Sequence, residues 1–364
     1  VIAVLLVYCG IVYQTLAIIG ALRFRRRAAI ENFSPPVSIL KPVRGRDPAF
    51  YEAIRSHAEQ WYPEFEILFG VTEDNDPALE DIERLQREYP RVPIRVVNTA
   101  NDAPNRKAGS LALLARHASY EFLLVNDGDI KVDTDYLARV MSLLQSDDTG
   151  LVTCVYRGRG MSLPAEAEAL GIAVEFAPSV LVARLLSSSG FALGATMAFR
   201  KRELEAIGGF EAIRDFLADD YQVGARISAL GKRVILADTV VETHLGAGSW
   251  QDVWKHQVRW SRTLRVSRPG GYFGYGVTQT TFWCLIAAIA GHPRVAMTGL
   301  IVRLAAAFFA LRAIDPRRAL AFIAVPLRDL FGFAVWCAGL AGREVEWRGV
   351  RFRLSPDGRI APLP

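Results

Sequence analysis

The chain has 364 residues, 51% hydrophobic and 22% charged, with 43 Lys and Arg against 38 Asp and Glu. That composition excludes a disordered or fibrous chain, and the length suits two or three domains. Four scattered cysteines (Cys9, Cys154, Cys284, Cys337), with no CxxC or Cys/His cluster, argue against a disulfide scaffold and a structural zinc site.

From Val1 to Leu22 no residue is charged, which is long enough to cross a hydrocarbon core, so residues 1–22 read as a transmembrane anchor. Arg23, Arg25, Arg26 and Arg27 follow at once and favour a cytoplasmic place for that flank. A cleaved signal peptide fits less well, because its basic residues belong before the apolar stretch and no A-x-A-like site follows.

Residues 23–240 read as one globular domain. Apolar strand-like runs alternate with helical ones: Val37–Leu40, then a helix near Pro48–Gln60; Ile67–Val71, then Pro77–Tyr89. Ile94–Val97 precedes a helix at Ala108–Ala118, and Phe122–Val125 one at Thr134–Leu144. That alternation predicts an α/β fold with a mostly parallel sheet, whose ligands bind beyond the carboxyl ends of the strands. No GxGxxG follows the first strand, and neither GxxxxGK[ST] nor GxSxG occurs, so dinucleotide, P-loop and serine-hydrolase chemistry lack their devices.

The strands exit into carboxylates instead. Ile67–Val71 runs into Thr72-Glu73-Asp74-Asn75-Asp76, and Phe122–Val125 into Asn126-Asp127-Gly128-Asp129. Acidic residues one apart at a turn suit a hard divalent cation. A third pair, Asp133 and Asp135, reads as a cap on the following helix. Downstream, Asp219 and Asp220 repel one another, so one pKa should rise; that suits a general base, a charged helix N-terminus being the other reading.

Residues 241–271 read as an amphipathic helix in the bilayer interface, with Trp250, Trp254, Gln257, Arg259 and Trp260 along it. Its cations also suit a departing pyrophosphate. Nucleic acid is not expected, because the basic residues hug apolar segments. Residues 272–342 hold three further candidate membrane segments, Tyr272–Pro293, Val295–Leu311 and Ala319–Gly342. Positive-inside counting puts Arg312, Arg317 and Arg318 on the cytoplasmic side. Four spans would send the basic tail (343–364, with Arg348, Arg351 and Arg353) outside, so a re-entrant or interfacial last segment stays open.

Taken in order, these motifs resemble the ceramide glucosyltransferases and their bacterial relatives, glycosyltransferase family 21, within the GT-A-fold, family-2-like enzymes. The matching text is Val37-Ser-Ile-Leu-Lys-Pro-Val-Arg-Gly45, Gln60-Trp-Tyr-Pro63, Asn105-Arg-Lys107 and Asn126-Asp-Gly-Asp-Ile-Lys-Val132. It continues with Gly190-Phe-Ala-Leu-Gly194, Leu217-Ala-Asp-Asp-Tyr221, Gln257-Val-Arg-Trp260 and Trp347-Arg-Gly-Val-Arg-Phe-Arg-Leu354.

The resemblance implies a GT-A domain and a multi-pass protein of a bacterial inner membrane with its site on the cytoplasmic face. It implies transfer of glucose or GlcNAc from a UDP-sugar to a membrane lipid with inversion. Asp129 and Asp127 would hold Mg²⁺ or Mn²⁺, and Lys41, Pro42, Arg44 and Lys107 would contact the nucleotide sugar. Glu73 stands where the family carries an aspartate, so Asp74 or Asp76 is an alternative there. Asp220 would be the base beside Asp219; Gln257, Arg259 and Trp260 would close over the pyrophosphate, with Gly194 and Trp254 on the acceptor side. Ala177 stands where ceramide enzymes carry a His before Pro178, and Pro178–Arg184 looks closer to hopanoid-associated relatives. On the family name alone a ceramide-type or similar lipid acceptor leads, with a hopanoid polyol a close second; a processive polysaccharide synthase and a silent membrane scaffold are the remaining readings. Oligomeric state is not addressed by any motif.

Overall fold

The computed structural model describes residues 1–24, 32–186 and 190–363, so Arg25, Arg26 and Arg27 lie outside the described residues. Helix α1 (Ile2–Phe24) leads into β1 (Val37–Pro42), α2 (Phe50–Ala58), β2 (Phe65–Val71), α3 (Ala78–Glu88), β3 (Ile94–Asn98), α4 (Arg106–His117) and β4 (Phe122–Val125). Then come β5 (Ile130–Lys131), α5 (Tyr136–Ser142), β6 (Thr149–Gly160), α6 (Leu163–Gly171), α7 (Ala177–Leu185), β7 (Met197–Arg200), α8 (Lys201–Ala206), α9 (Asp219–Ala229) and β8 (Arg233–Gly246). The chain ends with α10 (Trp250–Ser267), α11 (Pro269–Val277), α12 (Thr280–Ile289), α13 (Pro293–Ile314), α14 (Val325–Leu340) and strands β9 (Glu344–Trp347), β10 (Val350–Leu354) and β11 (Ile360–Pro362).

Eight strands form one mixed sheet in the order β3-β2-β1-β4-β7-β6-β8-β5. Strands β1 to β4 are parallel, and β7 reverses direction between β4 and β6. All of β2 and nearly all of β1 are buried, which is why both read as apolar runs without alternation: packed layers cover both faces. The first four expected strands and their helices are all present, with ends shifted by a few residues. One capping expectation fails: neither the Asp133 nor the Asp135 side chain caps a backbone N–H of α5, and Asp135 Oδ2 accepts from Arg139 Nε at 2.7 Å instead. Register does the rest. Leu40 pairs with Val125, so the loops after β1 and β4 leave the sheet side by side.

Helix α1, helix α13 and the run Pro316–Leu340 are long and apolar enough to cross a membrane. The segment expected to span at Tyr272–Pro293 is not one helix. It breaks at Thr278–Gln279 into α11 and α12, of nine and ten residues, and ten residues rise only about 15 Å. Glycines 270, 271, 274 and 276 crowd α11 and weaken it as a helix former. The two ends of the last apolar run are held differently. At one end Arg159 Nη1 of β6 donates to Asp315 Oδ2 at 2.6 Å; at the other, Arg262 Nε of α10 donates to Ala341 O at 3.0 Å. The basic tail folds as a three-stranded antiparallel sheet around Val345, Phe352, Leu354 and Ile360, packed on Leu217.

Between the long apolar helices sits a buried ion pair. Arg303 Nε and Nη2 donate to the two oxygens of Asp329 at 2.8 and 2.6 Å, Thr281 donates to Asp329, and Arg303 Nη1 reaches Val174 O at 3.2 Å. Removing one partner strands the other charge. Asp329→Ala is therefore expected to cost about 3–5 kcal/mol, read as a lowered unfolding midpoint in nanodiscs. Arg303→Met with Asp329→Leu should lose much less; equal loss in single and double variants would show that packing, not charge, is what matters there.

Candidate active site

One cavity of about 1260 Å³ runs from the strand exits into the space between the apolar helices. At its sheet end Asn126 anchors the acidic turn. Fully buried, it accepts from His57 Nε2 (3.1 Å) and donates to Tyr136 Oη (3.0 Å) and Ala195 O (2.6 Å), which holds Asp127-Gly128-Asp129 out over the cavity. Asp127 Oδ1 pairs with Lys107 Nζ at 2.7 Å, and the same ammonium lies 3.4 Å from Asp219 Oδ2. Lys107 is placed by the cap of α4: Asn105 Oδ1 accepts from Ala108 N, while Asn105 Nδ2 donates to Phe216 O just before the Asp219–Asp220 pair. Burial opposes the Lys107 charge, but Asp127, Asp219 and Asp220 outweigh it and raise its pKa.

Gly194 marks the centre of this cluster. A methyl group at its Cα would lie 3.3 Å from Lys107 Nζ and 3.4 Å from both Asp127 Oδ2 and Asp220 Oδ2. The Asp127 turn, the Lys107 helix and the start of α9 therefore meet within one side chain's reach. Asp220 Oδ2 accepts from Gly194 N at 2.8 Å and Oδ1 from Tyr221 N at 2.7 Å. Burial and then the neighbouring Asp219 raise the Asp220 pKa to about 6 against the opposing pull of Lys107. The pair opens α9, and Asp220 is its shifted carboxylate.

Asp129 is also raised to about 6, by burial first and by Asp127 second, with the Thr243 hydroxyl donating to it in opposition. No cation is paired with it among the described residues. A desolvated carboxylate beside a second one, with no ion pair of its own among the described residues, fits a divalent cation whose remaining ligands come from phosphate and water. No group of three or more His, Cys, Asp or Glu suited to a metal occurs among the described residues.

Helix α10 contributes the wall opposite. His256, Gln257, Arg259 and Trp260 line the cavity; Gln257 Oε1 accepts from Arg328 Nη2 at 2.9 Å, and His256 Nδ1 pairs with Glu168 at 2.7 Å. Arg259 makes no hydrogen bond or ion pair through its side chain among the described residues. Burial lowers its pKa to about 10, Glu168 opposing and the positive Arg348 adding.

Three expected residues fall elsewhere. Lys41 lies behind the wall, fully buried, its Nζ donating to Asp127 O at 3.1 Å; Pro42 and Arg44 are the loop residues on the cavity. Glu73 lines the cavity whereas Asp74 does not, and Asp76 is occupied by Gly45 N and Ala78 N. Trp254 faces away, its ring 5.8 Å from that of Phe331 on α14. Residues that sequence reading left without a role also reach the cavity: Asp47, Glu168, Glu175, His256, and Arg348 of the tail. Only Arg348 lay in a quoted motif.

Away from the strand exits the lining is largely apolar, with Ile172, Val180, Leu186, Leu264, Val335 and Trp336, beside Glu175 and Arg328. Most of those apolar residues lie on α7, α10 and α14. Polar and greasy halves thus share one continuous volume.

A model of glycosyl transferase family 21 matches residues 2–360. A ceramide glucosyltransferase of Komagataella phaffii is 34% identical over 131 residues, 34% of this chain and 26% of that protein. Ceramide glucosyltransferase 3 of Caenorhabditis elegans is 25% identical over 212 residues, 57% of this chain and 46% of that protein. The matches thus span less than half the length of these relatives. Among solved structures, a mannosyltransferase from Pyrobaculum calidifontis has a TM-score of 0.58 at 22% identity, covering 93% of this chain and 96% of that one. That likeness is one of fold, and it agrees with the expected GT-A architecture.

Proposed function

The chain belongs to glycosyl transferase family 21, and from that premise we propose that it moves a hexose from a UDP-sugar to the hydroxyl of a membrane lipid of ceramide type, inverting the anomeric centre. The observation that carries this reading is the single cavity joining a carboxylate and cation cluster to an apolar passage between long apolar helices. A soluble acceptor would need no such passage. The curated relatives above are named ceramide glucosyltransferases, which favours the same acceptor class.

Mechanism follows from the residues around Gly194. The lipid hydroxyl, arriving from the apolar end, lies against Asp220, which takes its proton as the oxygen attacks the anomeric carbon. The bond from that carbon to the diphosphate oxygen breaks on the opposite face, and UDP carries away the electron pair. Arg259, without a side-chain hydrogen bond or ion pair among the described residues, and Lys107 absorb the negative charge that develops there. Asp127 and Asp129 would hold a divalent cation, whose chemistry is to neutralise charge on the diphosphate. The Pyrobaculum calidifontis neighbour was solved with GDP-Man and Mn²⁺, which supports a nucleotide sugar and such an ion in this fold. With the domain on the cytoplasmic side of a bacterial inner membrane, donor would reach one end from water and acceptor the other from lipid.

The test is direct. The full chain in lipid nanodiscs is given UDP-[¹⁴C]glucose or UDP-[¹⁴C]GlcNAc with Mn²⁺ and either ceramide or a hopanoid polyol. Label should move into one glycolipid that dissolves in organic solvent. Label recovered only in a water-soluble polymer would establish a processive synthase instead, and label left wholly on nucleotide would refute transfer.

A further inference from the structure

The tail motif Trp347-Arg-Gly-Val350 meets the donor end of the cavity at Arg348. Trp347 pairs with Val350, so Arg348 and Gly349 alone turn the chain, with φ of 49° and 78°. A two-residue turn of this kind favours Asn or Gly at its first position, because a Cβ is strained at positive φ. Arginine occupies it here. Strain of that sort points to function only when other observations join it.

Two do. The Arg348 side chain crosses to the β1 loop, where Nη1 donates to Arg44 O at 3.0 Å, so the cavity mouth is bounded by both. It also stands near enough to Arg259 for the two positive charges to repel. Each has an acidic neighbour: Asp47 lies near Arg348, and Glu168, bonded to His256, lies near Arg259. Both guanidinium groups line the same cavity, and two such groups suit an anion bearing more than one charge.

The sheet that presents Arg348 is fastened to the catalytic segments. Leu217 N donates to Gly358 O at 3.2 Å and Ile360 N to Asp215 O at 2.7 Å, just before Asp219 and Asp220. Arg262 and Arg265 of α10 hold the chain at Ala341 and Gly342, where β9 begins. A cation at the β9–β10 turn is thereby positioned relative to both Asp220 and Arg259.

On the reading of this cavity as a nucleotide-sugar site, we propose that Arg348 supplies a second guanidinium to the donor's diphosphate, facing Arg259, and that the C-terminal sheet straps the donor end through it. Because its backbone is already turned and its side chain already across the mouth, little ordering is needed when the donor arrives.

Affinities of uridine, UMP and UDP, each with Mn²⁺, separate this from a strut that only steadies the Arg44 loop. In the full chain in nanodiscs, Arg348→Ala should weaken UDP by about 10–100-fold, UMP less, and uridine hardly at all. Arg348→Gln keeps a donor for Arg44 O without the charge and should lose UDP affinity in the same way; Arg348→Lys should recover part of it. Equal loss for all three ligands would make Arg348 a strut, and unchanged UDP affinity in both neutral variants would also overturn the proposal. Wild-type protein that binds no UDP would instead refute the nucleotide-sugar reading on which it rests.

Discussion

Asp220→Asn is expected to lower sugar transfer by about 10²–10⁴-fold while UDP binds as tightly as to the wild type. The amide keeps the size of the side chain, and its single oxygen can still accept from one of the two backbone donors that seat Asp220 at the head of α9, Gly194 N or Tyr221 N. What it loses is the ability to take a proton. Wild-type activity should also carry an acid limb. Burial and Asp219 raise the Asp220 pKa to about 6, and a base works only when deprotonated, so the rate falls as pH drops through about 6 and levels off above it. Asp129 titrates in the same range, so the profile is to be taken at saturating Mn²⁺. Loss of UDP affinity in step with activity would mean that Asp220 holds the donor rather than activating the acceptor.

Asp129→Ala should abolish the Mn²⁺ dependence of UDP binding and lower transfer at least as far as the roughly 10–100-fold lost when a group behind a metal ligand is removed. The reasoning is electrostatic. Asp129 is a desolvated carboxylate with Asp127 beside it, steadied by the Thr243 hydroxyl, backbone and the buried Lys41 ammonium, and the two carboxylates together gain from a bound cation. Asp133→Asn is the control, an acidic residue exposed at the surface a few positions on, and it should change nothing. Full Mn²⁺-dependent binding in the Asp129 variant would place the ion elsewhere.

Much of this arrangement is legible before any coordinates. Parallel strands covered on both faces must be apolar throughout, so β1, β2 and β4 stand out, and carboxylates at their exits mark the site. Less legible is which side of an element a residue takes. Lys41, next to last in β1, is fully buried with its ammonium under the Asp127 turn, while its neighbour Pro42 reaches the cavity. Trp254 and Trp260 sit on one helix, but six residues turn about 240°, so one meets Phe331 and the other the cavity. The span expected at Tyr272–Pro293 reads as continuous by hydropathy alone, which does not register how poorly its glycines hold a helix. Farthest from local inference is the bond from Arg348 to Arg44, which joins residues 304 apart. No periodicity reports a contact like that; only the folded tail brings it about.

The central claim is a single in-line displacement of a nucleotide by a lipid hydroxyl, activated at Asp220 beside the Asp127–Asp129 turn. Its most direct measurement is the anomeric configuration of the transferred sugar, read by NMR on glycolipid made in nanodiscs from an α-linked UDP-hexose. A β-linked product that vanishes in the Asp220→Asn variant is the predicted result, and an α-linked product would contradict the account.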